Sequence, residues 1–259
     1  SKPYWMDSIV TASSIGGRNY FLSGDMNVSV LNAVGATFFN KDLASLYQIN
    51  DVYDVVKAGK FTLDKLTEYC RLVYNDLNGN AEYDSEDRYG LDCSTFAWQP
   101  LYYGAGMSMI SKDKDDIPQT NFGDQKLVDA LTKLREYNSI HKADIYNARS
   151  ANGSPNTGGD GDRVVFRLFL NDQAMFYVHG LGSAQMFRDM KSDFGVIPTP
   201  KLDETQEDYF IQPDITKCMA IPTTASDLER TSIILEALAY EGYIYLRPLY
   251  YETMLQNKY

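Results

Sequence analysis

The chain is short of the residues that most often carry chemistry. Its 259 residues include two histidines, three cysteines and two tryptophans. Cys70, Cys93 and Cys218 are odd in number and far apart, which excludes a disulfide framework and a zinc site of ordinary spacing. His141 and His179 are equally isolated, and no G-x-S-x-G elbow accompanies them, so a Ser-His-Asp triad has no support. Neither "GGRNY" nor "GLGS" has the spacing of a nucleotide-binding glycine loop. Positive charge is also scarce: 24 Lys and Arg stand against 35 Asp and Glu, for a net charge of −11. Such a surface repels nucleic acid and anionic lipid, and neither is expected as a partner. Apolar runs of the roughly 18 residues needed to cross a bilayer are missing.

What is present is an ordinary globular composition, 44% hydrophobic and 23% charged, with 20 tyrosines. Tyrosine pairs a flat apolar face with a polar tip, which suits polar ligands as well as strands and interfaces. The opening "SKPYWMD" and the closing "MLQNKY" read as internal stretches, so a piece of a longer polypeptide is expected.

The pattern alternates strands and helices, which gives an α/β class. Gly16-Gly17 reads as a hairpin turn with a strand leaving at Arg18–Leu22. Val34–Asn40 reads as a strand, followed by a short helix over Lys41–Tyr47. Thr62 is the expected N-cap of a helix whose buried face is Leu63, Leu66, Tyr69, Cys70 and Val73. "RYGLDCSTF" reads as a strand and "WQPLYYG" as a helix. Residues 124–141 form the clearest helix, with Leu127, Ala130, Leu131, Leu134 and His141 on one face. "SKDKDDIPQTNFGD" reads as a polar surface excursion and "ARSANGSPNTGGDGD" as a loop. A helix over Arg163–Asn171 leads to a buried strand at Ala174–His179. "FGVIPTP" and "CMAIP" read as strands. Ser226 and Glu229 form a capping box that starts a helix through Tyr240, and a last helix holds Leu249–Leu255.

One stretch departs from this bland background. "DLNGNAEYDSED", Asp76–Asp87, places side-chain oxygens at loop positions 1 (Asp76), 3 (Asn78), 5 (Asn80), 9 (Asp84) and 12 (Asp87). Glu82 stands at position 7, where a backbone carbonyl serves. This is the spacing with which a chain coils around Ca2+. Position 6 is Ala81 where glycine is usual, and the left-handed turn needed there costs alanine of order 1 kcal/mol. A structural brace is expected, since saturated oxygen coordination leaves no open position for catalysis.

Several segments, in order, resemble the extracellular solute-binding proteins of ABC importers, in the large family that includes maltose-binding protein. They are "IGGRNYFLSGD", "FFNKDL", "VKAGKFTLDKL", the acidic loop running into "DRYGL", "VFRLFLNDQAMFYVHG", "DMKSDFGVIPTPK" and "CMAIPTTASDLERTSIILEALAYE". The resemblance implies a type II periplasmic-binding-protein-like fold, with one nearly complete lobe and part of a second. Residues 1–26 would be hinge and partial lobe 1, 27–193 lobe 2, 194–240 hinge and partial lobe 1 again, and 241–259 a C-terminal helical segment. It implies a non-enzymatic receptor that captures a small solute, a sugar, between hinged lobes and serves ABC permease subunits. It implies an extracellular place, with membrane contact only through a lipid anchor outside this chain. On the family pattern Phe96 and Trp98 lie where sugar-stacking rings occur, His179 and Gly180 follow the buried strand, and Trp5 and Asp25 flank the hinge. Two other readings stand beside it: a calcium-braced surface adhesion or scaffold module and, more distantly, a glycoside-acting enzyme.

Overall fold

The computed structural model describes residues 2–93, 98–140, 145–147, 167–211 and 218–255. The chain opens with α1 (Asp7–Ser13), the two-residue strands β1 (Ser14–Ile15) and β2 (Arg18–Asn19), and α2 (Val28–Asn32). Then come β3 (Gly35–Asn40), α3 (Lys41–Leu46), α4 (Val52–Lys57), α5 (Leu63–Arg71), β4 (Tyr89–Cys93) and α6 (Trp98–Gly104). The hairpin β5 (Ile110–Lys112) and β6 (Pro118–Thr120) leads to α7 (Gln125–Ile140), β7 (Ile145–Asn147) and β8 (Ala174–Gly180). A 3-10 turn (Leu181–Gln185), β9 (Phe194–Ile197) and α8 (Leu228–Glu241) follow, and α8 runs on through irregular helical turns to Leu255. Among the described residues no helix is long and apolar enough to cross a membrane.

The centre is a five-stranded mixed sheet in the order β7-β4-β8-β3-β9. β3 pairs antiparallel with both β8 and β9, and β4 pairs parallel with β8 and β7. "GATFFN" and "AMFYVHG" read as continuous apolar runs because both faces of these strands are covered. Phe39 and Phe176 belong to one buried cluster with Phe61, Leu66 and Tyr69 from the α5 side. Phe38 and Tyr177 belong to another, with Phe169, Phe187 and Phe194. Every residue of β3 is buried. The α5 face matches its expectation: Leu63, Leu66, Tyr69, Cys70 and Val73 are all buried, and Thr62 caps the helix by accepting from the Lys65 N–H at 3.2 Å. Helix and sheet meet closely at Gly90, where a Cβ would stand 2.2 Å from Cys70 Cα. Only glycine fits a strand pressed that tightly against a helix.

Some local expectations are corrected. The strand expected through Leu22 stops at Asn19, and Leu22 instead makes an isolated bridge to Met219. "CMAIP" supplies only that bridge, because its neighbour across the gap is a single residue rather than a strand. The last major helix is capped by Asp227, not Ser226: the Asp227 carboxylate is the oxygen that accepts from the third helical amide, Arg230 N–H, at 2.9 Å. Residues 163–166 of the helix expected at Arg163–Asn171, His141, and the whole "ARSANGSPNTGGDGD" loop lie outside the described residues.

Candidate functional site

The polar residues singled out by sequence fall at two ends of the sheet. At one end β3 and β8 bring Gly35 opposite Gly180. A Cβ on Gly180 would stand 2.7 Å from the Asn32 carbonyl oxygen, and one on Gly35 would stand 3.0 Å from Pro100 Cβ. Backbone close approach therefore draws the end of α2 and the first turn of α6 to the same rim. Trp98 opens α6, so the start of that helix lies near the His179–Gly180 end of β8. The His179 ring stacks on Tyr177 (centroids 5.6 Å apart, planes 12° apart), and its Nδ1 is 2.9 Å from the Ser183 hydroxyl. Stacking and hydrogen bond fix the imidazole plane, leaving the half-buried ring oriented at the rim. Phe96 lies outside the described residues.

Asp25 enters from the other end of α2, three residues before that helix begins. It is buried, 4% exposed, and Arg247 Nη1 donates to its Oδ2 at 3.4 Å. Burial pushes its carboxyl above the usual range, and Arg247 pulls it partly back. The backbone of Asp25 also packs on Gly242, where a Cβ would meet it at 2.5 Å. Trp5 is half-buried and donates its indole N–H to Glu236 Oε2 at 3.2 Å. Glu236 accepts from Lys2 and Tyr4 as well, and its carboxyl is held low, first by the Lys2 hydrogen bond and then by Tyr4. Trp5 and Asp25 are thus clamped to α8 and its continuation. The turn Tyr250–Leu255 returns against Leu181–Gln185, which brings the tail back to the rim that carries His179.

The acidic loop lies at the opposite end of the sheet. It connects α5 to β4, and β4 begins at Tyr89, paired with Ala174 at the start of β8, whereas His179 and Gly180 end that strand. Ala81 has φ 60°, the left-handed conformation expected at position 6. Tyr74, next to the loop, is pushed up to about 12, first by burial and then by the charge of Asp87. The loop is thereby separated from the rim.

Sequence reading missed a polar clasp between two hairpins. Asp116, at φ 62°, accepts from Ser14 Oγ at 2.9 Å, from Gly17 N–H at 2.9 Å and from Lys112 Nζ at 2.8 Å. Lys112 Nζ also donates to the carbonyls of Thr11 and Ser14. These bonds, with the Lys112 bond the largest cause, hold the Asp116 carboxyl down to about 2. The clasp ties β1–β2 to β5–β6 across about a hundred residues of chain. "DKDDIP" carried no signal beyond a turn, because the partners are brought together only by the fold.

No family model matches the sequence, and no curated protein matches it. Solved structures do. The galacto-N-biose-/lacto-N-biose I-binding protein of the ABC transporter from Bifidobacterium longum, in complex with lacto-N-biose, aligns with a TM-score of 0.58 at 11% identity, over 91% of this chain and 51% of that one. UspC from M. tuberculosis aligns with a TM-score of 0.56 at 16% identity, over 95% of this chain and 59% of that one. A cyclo/maltodextrin-binding protein complexed with maltotetraose gives 0.55 at 14% identity, over 92% and 51%. The chain thus spans little more than half the length of these solved proteins while nearly all of it is matched. With its mixed sheet, its rim and its returning tail, the chain has a type II periplasmic-binding-protein-like α/β fold, one lobe nearly complete and the other in part.

Proposed function

We propose that this chain is the larger part of an extracellular substrate-capture protein of an ABC importer, which holds a mono- or oligosaccharide between two lobes and hands it on unchanged. The carrying observation is the fold: solved chains that share it include proteins holding lacto-N-biose and maltotetraose. Residues 27–193 would be the nearly complete lobe, residues 1–26 and 194–240 the hinge and the partial one, and 241–259 the segment that closes back. The outward apolar side chains of α8, among them Ile233 at 62% exposed and Leu238 at 52%, fit a lobe that this chain builds only in part. Hinge closure would shift the open–closed population by the sugar's differential affinity for the closed state. Trp98 and Phe96 would meet the C–H faces of the sugar, and His179 and Asp25 the hydroxyl rim, with Gly180 leaving room and Trp5 flanking the hinge. Permease subunits would be the protein partners, and a lipid anchor outside this chain would supply membrane contact.

The test is a thermal-shift screen of the whole two-lobed protein against mono- and oligosaccharides, with the sugars recovered afterwards. The expected outcome is a raised melting temperature for a subset of sugars, all recovered intact. Trp98→Ala should weaken the best binder about tenfold, the scale of one lost aromatic contact. Recovered hydrolysis products, or no response to any sugar, would overturn the reading.

A further inference from the structure

The loop Asp76–Asp87 carries more than its spacing. Its first half is already wound: the Asp76 carboxylate oxygens accept from Gly79 N–H at 2.6 Å and Ala81 N–H at 2.9 Å. Asn78 Oδ1 accepts from Asn80 N–H at 3.0 Å, and Asn80 Oδ1 from Glu82 N–H at 2.7 Å. Turns of this kind also occur in loops that bind nothing. The deciding observation is at position 12. Asp87 is fully buried, 0% exposed, and its Oδ1 has no hydrogen-bond partner. Its Oδ2 has only long contacts: Tyr74 hydroxyl at 3.3 Å, Asp84 N–H at 3.4 Å and Tyr89 hydroxyl at 3.5 Å. A buried carboxylate is paired with a cation or bound to a metal in stable proteins, since an uncompensated charge is costly away from water. The Asp84 contact places Oδ2 of this carboxylate against the loop backbone.

We propose that Asp76–Asp87 binds a calcium ion, with side-chain oxygens of Asp76, Asn78, Asn80, Asp84 and Asp87 and the carbonyl of Glu82 as ligands, and that the ion locks the α5–β4 connection onto the sheet. Among the described residues Asp76, Asp84 and Asp87 are not grouped as metal ligands, so the ion has to draw the three carboxylates together. The donor set relies on amide and carbonyl oxygens to reach six, which suits calcium and disfavours zinc. Binding also rearranges the two amides. The Asn78 and Asn80 amide groups now donate to Asp84 Oδ2 at 3.1 and 2.8 Å, and the ion replaces those donors as the partner of Asp84. The lock reaches the sheet because Gln173 Nε2 donates to the carbonyls of Ser85 and Asp87, at 3.1 and 3.3 Å, one residue before β8.

This is independent of the sugar reading and is tested on the 259-residue chain with the metal alone. Calcium chloride should raise the melting temperature, and magnesium at equal concentration should raise it far less. Terbium should show emission sensitised by the nearby tyrosines, displaced by calcium. Asp87→Asn keeps the side-chain volume and removes the charge, so it should abolish both responses while melting no lower than the metal-free parent. Asn80→Ala, on the exposed turn, should weaken the response at least tenfold and serves if Asp87→Asn fails to fold. An unchanged calcium shift in these variants, or a parent that shows neither shift nor terbium emission, would overturn the site.

Discussion

The sheet and the last helix both carry large apolar side chains and treat them in opposite ways. In β3 and β8, Phe38 and Phe176 are 0% exposed. In α8, Leu228, Ile233, Ile234 and Leu238 are all more than half exposed, and Ala239 is the buried residue of that helix. The difference is architectural. The sheet is clothed on both faces by its own chain, with α5 and its neighbours on one side and the Phe169–Phe187–Phe194 cluster on the other. α8 is held chiefly along one edge, through Glu236 and the Asp25–Arg247 contact. Composition alone does not distinguish an apolar segment that has found its cover from one that presents a surface.

That contrast can be broken by mutation. Phe176 is packed against the rings of Phe39, Phe61 and Tyr69, so Phe176→Ala should cost about 3–5 kcal/mol in denaturant unfolding. Gly90→Ala forces a methyl into the Cys70 backbone and should cost at least about 1–3 kcal/mol. Thr62→Ala removes the α5 cap and should cost about 1 kcal/mol. Ile233→Ala, on the open face of α8, should stay within about 0.5 kcal/mol of the parent. An Ile233 cost approaching that of Phe176 would erase the distinction.

The hairpin clasp adds a pH-dependent element of its own. Asp116 is depressed to about 2 in the fold, below the unfolded value near 3.9. Its contribution is therefore complete above about pH 4 and is lost as pH falls from about 4 towards 2. Urea unfolding over that range should show the parent converging on Asp116→Asn. A constant gap between the two would remove Asp116 from the acid response.

Much of the sheet side was legible because its signals are local. The "GATFFN" run, the Thr62 cap and the α5 stripe depend on neighbouring residues, and each appears where expected. The calcium-type spacing likewise required the left-handed turn that Ala81 adopts. Contacts set by the fold were not legible. Asp116 reaches Ser14, and Trp5 reaches Glu236, only because distant segments are brought together. The helix cap moved from Ser226 to Asp227 because the helix starts one residue later, and the Asp227 carboxylate accepts from Arg230 N–H. The rim near His179 was legible in part: the strand end could be read, but not the Ser183 bond or the close approach of Asn32.

The self-contained sheet and the half-covered helix are tested most directly by native-state hydrogen exchange on this chain. Amides of Phe38, Phe39, Phe176 and Val178 should exchange only through global unfolding, at rates set by the full stability, while those of Leu228–Glu241 exchange through local opening that is far less costly. Equal protection of the helix and the sheet would contradict it.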